Sequence, residues 1–158
     1  MSERIQQVKK NLADARQYLD HILDQVGDRW ETQVYSDGAA WTVRQLAIHL
    51  MITDKGHNNT IKGIANGEET IPADFDLERF NKRSVEKRTE TSVEDVRAGL
   101  ATTAAERDAW LDTIDDMTLD KKGRHGTMRI LSIEQILGVV ASHDRDHASD
   151  IARLLSIG

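Results

Sequence analysis

The 158-residue chain contains no cysteine, which excludes disulfides, thiolate zinc knuckles and a nucleophilic thiol of its own. Any thiol chemistry must import its thiol. The chain also has a single proline, Pro72, and only three Trp, two Tyr and two Phe. Its long segments repeat at helical rather than strand period, so an all-helical class is expected in place of a sandwich or barrel. No apolar run is long enough to span a bilayer and the start, Ser2-Glu3-Arg4, is polar. Neither export nor membrane insertion is expected, and a cytoplasmic location is the plain expectation. Positive charge is not in excess either: 21 Lys and Arg against 27 Asp and Glu give a net charge of -6. The basic residues are scattered among acids, and the short runs at 82–88 and 121–124 read as solvated surface, so phosphate-backbone binding is disfavoured.

What is present is a set of strong helix signals. Ser2 can cap a first helix running through Ile5, Leu12, Leu19 and Val26, with Gly27 as its stop. A polar connection follows, in which Asp37-Gly38 marks a turn and Trp30 and Tyr35 tack the loop to the rest. Thr42 with Gln45 forms a capping box for a second helix that continues to Asn66-Gly67, and Ser132 with Gln135 repeats the device before the last helix. Ser92 with Asp95 opens a third. Residues 68–91 are less regular, with a short amphipathic piece around Phe75 to Val85, and 115–130 reads as a loop or short hairpin. The expected assembly is one domain over residues 1–158, an all-α four-helix bundle with a long, partly helical crossover between helices two and three.

His143-Asp144-Arg145-Asp146-His147 carries the most chemistry. Two imidazoles one turn apart lie about 40° apart around a helix axis and can reach a single ion. They sit in an apolar stripe of Ile133, Ile136, Leu137, Val140, Ile151, Leu154 and Leu155, so both are expected to face the core, with Asp144 and Asp146 beside or opposite it. His49, flanked by Leu46 and Leu50, is a third inward imidazole. It is thus available to an ion that the pair could hold. The segment is a near miss to the His-Glu-x-x-His of zinc proteases, but Asp is one methylene shorter and the third histidine lies upstream.

Trp41-Thr42-Val43-Arg44-Gln45-Leu46-Ala47-Ile48-His49-Leu50, taken with Ser132 to Leu137 and His143 to His147, resembles the DinB/YfiT-like family of metalloenzymes. The resemblance implies a four-helix bundle in which His49, His143 and His147 bind a divalent ion, zinc or nickel. It also implies thiol-dependent S-transfer or isomerisation of a small electrophile with a low-molecular-weight thiol, with metal-dependent hydrolysis of a small molecule close behind, and a homodimer. A noncatalytic metal-binding module responsive to stress is the reading from a different class.

The remaining polar residues have plainer expectations. His57 lines or rims the pocket, His125 lies exposed in its loop, with a lid folded over the open metal face as the alternative, and His21 is on the surface. Asp54, Asp144, Asp146 and Asp150 are candidates for holding a ligand ring N–H or for general-base work, with Asp144, Asp146 and His57 the catalytic candidates.

Overall fold

The first turn of a helix leaves backbone N–H groups without partners, and in this chain a side chain meets that need at every long helix. The structure, a computed structural model, describes residues 1–36 and 39–158; the turn expected at Asp37-Gly38 lies outside the described residues. Ser2 accepts from the Ile5 N–H at the start of α1 (Glu3–Leu23). Thr42 and Gln45 form a complete capping box on α2 (Val43–Ala65), and Ser132 and Gln135 form the same box on α6 (Ile133–Leu155). Asp76 caps α3 (Leu77–Lys87) and Ser92 caps α4 (Val93–Leu111). A one-turn α5 (Asp116–Leu119) leads into an antiparallel hairpin of β1 (Lys122–Arg124) and β2 (Ile130–Ser132), with Gly123 opposite Leu131.

Helix one is shorter than its apolar pattern predicts. It ends at Leu23, and the N–H groups of Gln25 and Val26 turn back on the Ile22 and Leu23 carbonyls. Val26 is nonetheless fully buried, and Gly27, at φ 65°, redirects the chain in a conformation that other residues resist.

Four long helices, α1, α2, α4 and α6, form the bundle, and α3 sits in the crossover as expected. Helix α1 lies along α6, while α2 packs against both α4 and α6. The apolar interior falls into two clusters. One gathers Leu19, Leu46, Leu50, Leu100 and Ile151; the other gathers Ile5, Ile61, Leu111, Ile136 and Leu137. Between them, along each helix, lies a polar layer: Arg16 on α1, Asp54 and Asn58 on α2, Thr103 and Arg107 on α4, and Asp144 on α6, all buried.

The inward stripe of α6 differs from its expected course. Leu154 is 40% exposed, whereas Ala141, Asp144, Ala148 and Ala152 are buried in line with Leu137 and Leu155. Alanines contribute little to an apolar pattern but permit close helix approach, so the buried face is broader than the large side chains indicate. Asp144 is therefore inside at 4% exposure, not wet beside the stripe.

Candidate metal centre

The polar layer fixes the two helices that carry the histidines. Arg16 donates through Nε to Asp144 (2.9 Å) and through Nη2 to Asp54 (3.0 Å), and Arg107 Nη1 donates to Asp54 (2.7 Å) and to Asn58 (3.0 Å). Thr103 donates its hydroxyl to Asp54 as well. Burial would push the Asp54 carboxyl up, but Arg107 and Arg16 outweigh it and hold the group below the usual carboxylate range. Asp144 has one guanidinium instead of two, so burial dominates and its pKa is raised. Two carboxylates thus link α1, α2, α4 and α6 at mid-height, directly behind Thr53 and His143.

On the other side of that layer three imidazoles meet. His143 Nε2 lies 3.2 Å from His49 Nε2 and 3.0 Å from His147 Nε2. Ligand atoms of all three fall within 4.8 Å of one another. His49 is 5% exposed and its ring lies 4.7 Å from that of Trp41, which covers it.

The protons on these rings follow from their outer partners. Tyr35 donates its hydroxyl proton to Asp150 Oδ2 (2.5 Å), so at 2.9 Å it must accept from His147 Nδ1–H. Burial first, and then the Asp150 partner, raise the Tyr35 pKa and keep it a phenol. Thr53 donates its hydroxyl to the His49 carbonyl (2.9 Å) and accepts from His143 Nδ1–H at 3.5 Å. Both rings of α6 therefore turn an unprotonated Nε2 inward. Burial, reinforced by the neighbouring imidazoles, lowers His49 to about 3 and His143 to about 2; burial also lowers His147 despite Asp150 and Asp146. All three are neutral at pH 7.

Neutral nitrogen lone pairs this close repel unless a cation stands among them. Two Nε2 atoms 3.0 or 3.2 Å apart suit two ligands of one ion at about 2.0–2.1 Å, and an outer acceptor for the ring N–H is the usual support of such ligands. The donor set fits a divalent metal.

A cavity of about 380 Å³ opens against His49 and His143. His57 lines it as expected, but His125 is buried at 5% exposure rather than solvated. Its Nδ1 accepts from the Thr127 N–H (3.2 Å), which leaves Nε2–H to donate to His57 Nε2 at 2.9 Å. Arg124 holds the hairpin beside the crossover through the Ile71 carbonyl (3.0 Å) and Glu69. His21 is exposed, bonded to Gln25. Asp146 is exposed and lines, with His143, Arg129, Gln135 and Ser142, a second and more polar depression.

Sequence reasoning missed the Arg16–Asp54–Arg107 network and the role of Tyr35. Arg107 stands in register with Leu100 and Leu111 on the buried side of α4, and a charged residue on an apolar stripe was the available signal. Tyr35 gave none, because its partners lie more than a hundred residues away.

The model of the DinB superfamily matches residues 6–151. No curated protein matches the chain. Among solved structures the chain resembles YfiT from Bacillus subtilis, described as a probable metal-dependent hydrolase with an unusual four-helix bundle topology, at 22% identity and a TM-score of 0.77, covering 100% of this chain and 91% of that one. At that identity the likeness establishes the fold. Among the described residues no helix is long and apolar enough to cross a membrane.

Proposed function

The chain belongs to the DinB superfamily, and from that premise we propose that it is a divalent-metal-dependent enzyme that hydrolyses a small molecule, with His49, His143 and His147 as the metal ligands. The observation that carries this reading is the convergence of three neutral imidazoles, 3.0 and 3.2 Å apart at their Nε2 atoms, at the wall of a cavity. An ion held there supplies an acidified water and a Lewis-acid field beside the bound substrate.

The protein's own residues prepare that place. Tyr35 and Asp150 orient His147, Thr53 orients His143, and Trp41 keeps water from His49. Asp144 is engaged with Arg16, so we assign it to holding α6 against α1 and not to proton transfer. Asp146, exposed beside His143, and His57, in the cavity wall, stay in reach of a bound substrate. The solved relative's description as a metal-dependent hydrolase supports the same reaction class.

A second reading, thiol-dependent transfer to a small electrophile, draws on the polar depression that shares His143 and Val139 with the cavity. Arg129 and Asp146 there suit the charged groups of a low-molecular-weight thiol.

Elemental analysis tests the centre: about one zinc or nickel ion per chain is expected, absent from His49→Ala and His147→Ala. Assay of neutral aryl esters then tests the reaction. Hydrolysis without thiol that stops on chelation supports the first reading, and thiol-dependent turnover supports the second. No turnover under either condition, with stability unchanged by metal removal, would leave a noncatalytic binding module.

A further inference from the structure

The cavity beside the imidazoles has an unusual wall for a polar centre. Ile71, Pro72, Phe75, Leu77, Phe80 and Val139 form its apolar part, and among the described residues no Asp, Glu, Lys or Arg lines it. Its polar groups are uncharged, and the buried Asn81 Oδ1 among them has no hydrogen-bond partner. His125 donates to His57, and the backbone of Thr127 donates to His125. Such a wall has no charged side chain to compensate an ionised group that loses its water, whereas an apolar group gains by burial.

One residue of the wall resists a packing explanation. His49, Thr53, Gly56 and Thr60 recur at steps of four, three and four along α2, and all four face the cavity. Glycine weakens a helix interior relative to alanine. Gly63 and Gly99 have a reason in packing, since a Cβ there would collide with Thr70 and Met51 respectively. At Gly56 a Cβ meets nothing within 4 Å. Gly56 is exposed and lines the cavity, so a side chain there would stand on the cavity's open side.

We propose that this cavity binds the uncharged, apolar part of the substrate, an aryl or short alkyl group carried by a neutral carbonyl compound, and that Gly56 keeps its open side clear. The proposal rests on the hydrolase reading only for where the carbonyl lies; capture of the apolar group needs no ion. It therefore favours neutral esters or amides over substrates that bear a carboxylate at the apolar end.

The test is binding, not turnover. 4-Methylbenzamide and 4-carboxybenzamide, equal in ring and amide but differing in charge at the far end, are titrated into metal-free and zinc-loaded protein and followed by amide chemical shifts. The neutral probe is expected to bind both forms at least tenfold more tightly than the charged one, and to keep binding in His147→Ala, whose side chain is outside the cavity wall. Gly56→Ala should melt higher than wild type, and Gly56→Leu should melt no lower yet lose at least tenfold in affinity for 4-methylbenzamide. Equal affinity for the two probes, no binding of either, or undiminished binding in a folded Gly56→Leu would overturn the proposal. Retained binding in a protein that hydrolyses nothing would support the pocket while removing the hydrolase reading.

Discussion

At the scale of single residues, the centre depends on which ring nitrogen carries the proton. Tyr35 settles that for His147, because its own proton goes to Asp150 and its lone pairs are left for the imidazole. Tyr35→Phe removes the acceptor, and Asp150 Oδ2, 3.9 Å from His147 Nδ1, is too distant to replace it. Metal affinity should fall about 10- to 100-fold in a competition against a chelating indicator, while the metal-free protein melts nearly as before. Equal affinity in the two proteins would show that the phenol does not orient the ligand. The depressed imidazoles also fix a pH dependence. His49, His143 and His57, at about 3, 2 and 4, and His147 and His125, shifted in the same direction, refuse protons that the unfolded chain binds near 6.5. The unfolded state binds more protons throughout that interval, so stability must rise with pH across it and be lost as pH falls below about 6.5. Above that value these groups are neutral in both states and contribute no slope. The raised pKa of Asp144 acts the other way, relieving some of the loss near and above pH 4. Thermal midpoints of metal-free protein between pH 8 and 4.5 check this, and a midpoint unchanged down to pH 5 would contradict dry, neutral imidazoles.

At the scale of elements, legibility followed the range of the interactions. Caps act over three residues, so Ser2, Thr42, Ser92 and Ser132 located all four bundle helices from the sequence, and the glycines after α1 and α2 marked the turns that follow them. The His143 and His147 pair was visible because one helix carries both, and His49 because its flanks are apolar. What failed to show was longer in reach. The burial of His125 is set by a bond from the hairpin to His57 across 68 positions, and Asp144 is buried because Arg16, 128 positions away, neutralises it. A periodicity argument gives charged residues to solvent and sees no partner on another helix. The four-helix bundle expected from the helix pattern, and implied again by the resemblance to the DinB/YfiT-like family, agrees with the family match and the observed fold.

At the scale of the whole molecule, the buried ions are the joint on which the centre is mounted. A bundle held only by its two apolar clusters would tolerate small rotations of α2 and α6, because hydrophobic contact is not directional. Arg16, Asp54, Arg107 and Asp144 add directional bonds at the level where those helices present His49 and His143. Desolvating such charges costs much of what their attraction returns, so the network stabilises little in total, but removing one member leaves another uncompensated. Arg107, 3% exposed, supplies Asp54 with the ion pair that most depresses its pKa. Arg107→Met should therefore cost about 3–5 kcal/mol in denaturant unfolding. The double variant Arg107→Met with Asp54→Leu should regain part of that loss, because the orphaned carboxylate is gone, while also removing a partner of Arg16. If the layer positions the histidines, metal affinity should remain weakened in the double variant even where stability returns. Recovery of both together would show that the ions serve only to fill the interior, and wild-type stability in the single variant would show that Asp54 is not charged when folded.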